Sequence, residues 1–270
     1  MTETSTGTTG PNPAPSRSGA VIEGFWRLLS FAIFFGIWEI AGRIPISLAF
    51  PPFSSVLAGL WGLIVSGEMA RAYAETLPPL IIGLVIVSSS GVALGIAMGL
   101  ARGVEWVFYP LLVVLQTSPV AAIIPLITYF YGIGVASKVV AVIILSAPMV
   151  VLNCYTGIRH TNASLLEMAR SFMGTRWQLT TKIILPHASG MIFAGLRLGV
   201  SGGFIGIVLA ELLIAPTGIG DIISYYRSVA RYPEMYAAIL SIIVLATLVL
   251  TGLQLIERRI FAATGTMKPA

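Results

Sequence analysis

Six apolar stretches, each about twenty residues or longer, dominate this sequence and decide the solvent in which the chain folds. They cover residues 24–44, 75–101, 105–130, 137–157, 187–213 and 234–256. A bilayer's hydrocarbon core is about 30 Å thick and a helix rises about 1.5 Å per residue, so about 20 residues cross it. Composition points the same way. The chain is 56% hydrophobic and 10% charged, with a mean hydropathy of +0.91, whereas a soluble domain carries about 25% charged residues. Backbone groups in lipid must find their partners within the protein, so spans of this kind are helical. The expected fold is an all-α integral membrane protein with six transmembrane helices.

The flanks and loops set the domain organisation. Residues 1–23 are rich in Thr, Ser, Gly and Pro and lack an apolar signal core, which predicts a disordered tail. One membrane domain over 24–260 and a short tail over 261–270 complete the expected division. A further uncharged stretch, 44–67, contains Pro51 and Pro52. It reads as a surface-lying helix over 54–65, capped by Ser54, with Leu57, Leu60, Trp61 and Ile64 on one face; a seventh span is the alternative. With six spans and both termini cytoplasmic, eleven of the sixteen Lys and Arg fall inside and five (Arg43, Arg71, Lys138, Arg227, Arg231) outside. This is the bias of cytoplasmic loops. The net charge of +5 is then a topological signal, with membrane lipid as the partner and no nucleic acid.

Within the spans, Gly91, Gly95 and Gly99, and likewise Gly195, Gly199 and Gly203, recur every fourth residue. Such faces let helix backbones approach closely. Prolines at 110, 119, 125 and 148 predict kinks, which favour a channel or transporter over an anchor. Ser89, Gln116, Ser118 and Asn153 either line a polar path or bond to neighbouring helices. Glu39 and Glu211 lie in apolar surroundings, where a carboxylate costs about 2.5–3.5 kcal/mol on insertion scales. Glu211 either gates the outer vestibule or is a structural carboxylate with a partner. His160 and His187 have no ligating neighbours in sequence, so no metal site is expected, and Cys154 is the single cysteine. No phosphate-cradling GxxxxGK[ST] loop occurs, nor HExxH, and no histidine sits in the interior of a span, so neither an ATPase nor a zinc or Ser-His hydrolase is expected.

The longest cytoplasmic connection in this topology, 158–186, reads IRHTNASLLEMARSFMGTRWQLTTKIILP. Leu165, Leu166, Ala169 and Phe172 recur at helical spacing, with Asn162 or Ser164 available as cap, and Gly174 ends the pattern. A second helical piece from Thr175 leads to Pro186, placed to begin the next span. An exposed amphipathic helix here is either a membrane-surface helix or a plug for a partner's groove.

These residues resemble the EAA signature of binding-protein-dependent ABC importer permeases. Glu167, Met168 and Ala169 stand at its first three positions, and Ile183, Leu185 and Pro186 at its closing Ile-x-Leu-Pro. The family's intervening glycine position is held by Met173, with Gly174 one residue later, which predicts a displaced break. FPPFSSVLAGL, YGIGVASKVV, NCYTGIRHTNASLLEMARS, GLRLGVSGGFIGIVLAELL, TGIGDII and IERRI resemble, in order, further segments of the nitrate, sulfonate and taurine permeases. The resemblance implies a type I ABC importer permease (MetI-like) fold in a bacterial inner membrane. It also implies two ABC ATPase subunits that bind ATP and Mg, a periplasmic or lipid-anchored solute-binding protein, and a second permease copy as homodimer partner. It assigns ATPase coupling to Leu165, Leu166, Glu167, Ala169, Phe172 and Gly174, and no cofactor or catalytic residue to this chain. A lipid-modifying membrane enzyme and a passive channel are the rival classes.

Overall fold

The computed structural model describes residues 17–44, 49–214 and 217–264. The expected tails lie outside these residues, except that 17–23 and 261–264 continue terminal helices. The order is α1 (Arg17–Arg43), α2 (Phe53–Val65), α3 (Glu68–Leu100), α4 (Arg102–Thr117), α5 (Val120–Tyr131), α6 (Val135–Arg159), α7 (Ala163–Ser171), α8 (Arg176–Leu179), a π turn (Thr180–Ile184), α9 (Leu185–Leu213), α10 (Ile219–Ser228) and α11 (Tyr232–Thr264). Among the described residues five helical runs are long and apolar enough to cross a membrane, and six when α4 and α5, bent at a break, are taken together as one span. Helix α2 is too short to be a seventh.

Helix α6 forms the axis of the bundle, and the two glycine faces explain why. On α3, a Cβ at Gly95 would lie 2.5 Å from Cys154 Cβ and 2.7 Å from the Val151 carbonyl oxygen, and one at Gly99 would lie 2.5 Å from Ile158. On α9, a Cβ at Gly199 would lie 2.3 Å from Val150, and one at Gly206 would lie 2.9 Å from the Ala141 oxygen. Both faces therefore press on α6 from two sides. In lipid this close van der Waals fit, rather than exclusion of water, holds helices together.

The expected third span, 105–130, is not one helix. It breaks at Ser118–Pro119, and its halves meet at 111°. Pro119 has no N–H to give and disfavours helical backbone in the residue before it. Ser118 accordingly sits at φ −67°, ψ 141°, and its hydroxyl donates to the Val114 carbonyl at 2.7 Å. Pro110, Pro125 and Pro148 stay inside helices.

Helix α2 begins at Phe53, and Ser54 is not its cap. The carboxylate of Glu39 on α1 accepts from Ser54 N and from Ser54 Oγ, both at 2.9 Å, and pairs with Arg43 at 2.7 Å. A side chain from the neighbouring helix thus satisfies a donor that has no partner within α2. The first carboxylate singled out in sequence is an inter-helix cap.

Candidate functional site

The loop between α6 and α9 is built from strong local signals. Asn162 caps α7, its Oδ1 accepting from Ser164 N at 3.0 Å and from Ser164 Oγ at 2.8 Å. Thr175 and Gln178 form a reciprocal capping box at the start of α8. The end of α7 is the unexpected part. Gly174 N donates to the Ala169 carbonyl at 3.1 Å, while Met173 takes the left-handed conformation at φ 54°. This is the Schellman arrangement, with its left-handed position filled by methionine instead of glycine. The break is therefore not displaced, as the sequence comparison predicts, but falls on Met173 itself. A side chain in this backbone region costs about 1–2 kcal/mol. Replacing Met173 by glycine should raise the local stability of α7, read as slower amide exchange over 163–174; faster exchange would contradict the assignment.

The face offered to the surroundings differs from the one the periodicity suggests. Ala169 is buried at 8% exposure, and Leu165 and Leu166 are half-buried. Outside lie Phe172 at 80%, Met173 at 92% and Trp177 at 76%, with Met168 and Glu167 also exposed. Ala169 thus faces its own chain, and the exposed apolar group is displaced toward the α7–α8 turn, where Met173's backbone swings its side chain outward. Large apolar residues gathered at one exposed turn mark an interaction site. The turn is also rigidly joined to the spans. Pro186 does not start a new helix, because α8 runs through the π turn into α9 as one helical run, Arg176–Leu213. Leu185 N reaches back five residues to the Thr180 carbonyl. This widening precedes the proline, whose ring would otherwise crowd the carbonyl four residues back. At this same end, Glu105 accepts from Tyr155 Oη at 2.6 Å and lies 3.6 Å from Arg159, and Arg197 pairs with Glu257 at 3.1 Å.

The polar residues singled out in the spans lie at separate places in the bundle. Ser89 is exposed on α3 and bonds its own helix at the Val85 carbonyl, 2.8 Å away. Asn153 donates to the Met149 carbonyl at 2.7 Å, beside Gly195 in the α6–α9 seam. Gln116 and Ser118 stand together at the α4–α5 break. Among these candidates, that break alone combines polar side chains with non-helical backbone.

Residues 91–262 match the family described as binding-protein-dependent transport system inner membrane component. The chain belongs to that family. It is thereby the permease component of an ABC importer, a multi-pass inner-membrane protein, and the exposed turn lies in the matched region. A Bacillus subtilis (strain 168) protein named for aliphatic sulfonates transport as a permease is 28% identical over 235 residues, covering 86% of this chain and 85% of the relative. The taurine transport system permease protein of Escherichia coli (strain K12) is 28% identical, with 83% of each chain covered. The formylaminopyrimidine transport permease of Halalkalibacterium halodurans is 30% identical over 71% of this chain and 77% of the relative. A chain of the MetNI methionine ABC transporter in an inward-facing conformation superposes with a TM-score of 0.52 at 17% identity, covering 80% of this permease and 98% of that chain. This likeness establishes the MetI-like fold.

At the end of the permease remote from the α7–α8 turn lies a site that sequence reasoning half missed. Glu211 is 2% exposed and so lines no path within the chain. Its Oε1 accepts from Lys138 Nζ at 2.8 Å, and Lys138, counted above among the outward basic residues, is itself 2% exposed. Burying both charges costs several kcal/mol per ion, offset only when the remaining hydrogen-bonding positions are filled. Here the carboxylate also accepts from Thr76 Oγ1 at 2.8 Å and Gly220 N at 3.0 Å, and Lys138 Nζ reaches the Thr217 carbonyl at 3.4 Å. Beside it, Tyr226 Oη donates to Glu68 at 2.6 Å, and burial first, then this bond, pushes the Tyr226 phenol up to about 12. The sequence hint of the pair was Glu211, a carboxylate in apolar surroundings, while Lys138 read only as an outward basic residue.

Proposed function

We propose that two copies of this permease enclose the path of a small anion of the sulfonate, taurine or nitrate class, handed over by an external solute-binding protein. Two ABC ATPases, holding ATP and Mg, dock beneath, with both termini of the permease on their side of the membrane. The observation that carries the reading is the apolar group Met168, Phe172, Met173 and Trp177, exposed on a loop capped at Asn162 and Thr175 and fused to α9. A folded turn presenting large apolar side chains fits a groove in a protein partner. Glu167, also exposed, contributes the polar rim, while Leu165, Leu166, Ala169 and Gly174 hold the turn in shape. The substrate class rests on the relatives named for sulfonates and taurine.

The permease supplies no bond-making step. Closure of the ATPase pair pushes on the docked turns and favours one of two arrangements of the spans, and release restores the other. The α4–α5 break supports a path: non-helical backbone at membrane depth is tolerated only where protein buries it or water reaches it. Gln116 and Ser118 therefore face the path, with Ser89 and Asn153 bonded along their own helices.

The test is reconstitution. The permease alone in liposomes should move no taurine or nitrate down a gradient, and transport should appear only when the cognate ATPase, binding protein and ATP are added. Downhill flux through the permease alone would establish a channel instead.

A further inference from the structure

We propose that Glu211 is the joint through which α9 carries the external helix α10, with Thr76 sharing the seat and Lys138 only neutralising the buried carboxylate. Helix α10 is ten residues long, too short to persist without support. Its first two N–H groups are accepted by the span bundle instead of by its own loop. Ile219 N donates to Thr76 Oγ1 of α3 at 2.9 Å, and Gly220 N to Glu211 Oε2 of α9 at 3.0 Å. Lys138 of α6 neutralises the carboxylate and reaches the Thr217 carbonyl at 3.4 Å. Three different spans thus meet at the start of α10.

The glycines make this seat possible. Gly218 has φ +86°, and a Cβ there would lie 2.1 Å from Glu211 Oε1; a Cβ on Gly220 would lie 2.5 Å from Glu211 Cβ. The chain therefore rests directly on the carboxylate. Beyond the seat, Ile219, Ile223 and Tyr226 are buried, while Tyr225 and Arg227 face outward.

Glu211 also stands near the far end of the continuous helical run that starts at Arg176. At about 1.5 Å per residue, some 50 Å of hydrogen-bonded helix separates Trp177 from Glu211. A displacement of the α7–α8 turn is passed along this rod, and the carboxylate hands it to α10. The seating of α10 stands on the geometry alone; its response to ATP rests on the docking reading given above.

The experiment uses the permease in lipid nanodiscs, alone and with its ATPase, in a Cys154→Ala background. Spin labels at Leu198→Cys on α9 and Ser228→Cys on α10 report the distance between the helices. Lys138→Met with Glu211→Leu removes the charge pair and the acceptor of Gly220 N together, without leaving a buried orphan charge. The distance distribution should widen at least twofold, and transport should fall at least tenfold while ATP hydrolysis continues. Lys138→Met with Glu211→Gln keeps an acceptor for Gly220 N and should restore both the narrow distribution and transport. An unchanged width in the leucine double variant overturns the proposal, as does equal widening in the glutamine double variant, since the charge pair and not the cap would then matter. If the leucine double variant does not fold, Thr76→Val removes only the acceptor of Ile219 N; it should widen the distribution, and no change would overturn the joint. If the ATPase does not associate with the parent permease, the docking reading fails, while the widths measured on the permease alone still judge the joint.

Discussion

Replacing Gly95 by valine is expected to cost the permease more stability than any single change on its lipid-facing surface. The new Cβ would lie 2.5 Å from Cys154 Cβ and 2.7 Å from the Val151 carbonyl oxygen. The first obstacle is a Cβ held in place by its own backbone, and the second is backbone, so α3 must move away from α6. Overpacking in a tight core costs about 1–3 kcal/mol and occasionally more. Parting two helices whose contact is the axis of the bundle puts this case at the upper end. Gly36→Ala on α1 is the matched control, because nothing lies within 4 Å of a Cβ there. In an exposed helix the exchange is worth about 0.5–1 kcal/mol in favour of alanine. Thermal unfolding in one detergent should therefore move down for Gly95→Val, and stay level or move up for Gly36→Ala. A Gly95→Val permease as stable as its parent would show that the α3–α6 seam is looser than described.

Removing the apolar knob at the α7–α8 turn should abolish coupling while leaving the membrane domain folded. Phe172 and Trp177 are exposed in the permease and hold little of its own structure. If both become buried in a partner, each contributes about 1.5–3 kcal/mol. The double change Phe172→Ala with Trp177→Ala then removes about 3–6 kcal/mol of association, a weakening of a hundredfold or more. Co-purification of the ATPase should drop sharply at equal permease level, and transport with it, without a shift in thermal unfolding of the isolated permease. Ala169 is a poor probe of the same contact. It is buried in its own chain, so a charge there would disturb α7 before it reported on docking. Retained partner and retained transport in the Phe172–Trp177 variant would make the turn a membrane-surface feature and overturn the docking reading.

Membrane location, span number and the helical pieces of the 158–186 loop were legible because they depend on signals local in sequence. Length and apolarity define a span whatever its neighbours are, and Asn162, Thr175 and Gln178 act through hydrogen bonds over two or three residues. The fourfold glycine spacing likewise announced close packing, although it did not name α6 as the shared neighbour of both faces. What stayed hidden depends on which segments meet. Glu39 and Glu211 stood out as costly carboxylates, but reading the first as a cap of α2 required Ser54, 15 residues away, and the burial of the second required Thr76 and Lys138, 135 and 73 residues away. Lys138 read as a topological charge until folding brought it 2.8 Å from Glu211. At Met173 the sequence carried the departure from glycine, yet only the backbone shows that the residue accepts the left-handed turn. The sequence by itself therefore determined the solvent, the helices and the family, since each follows from residues within one or two turns of one another. Tertiary structure decided how charge is buried and which side chains the α7–α8 turn presents, because those follow from contacts made only after the spans have packed.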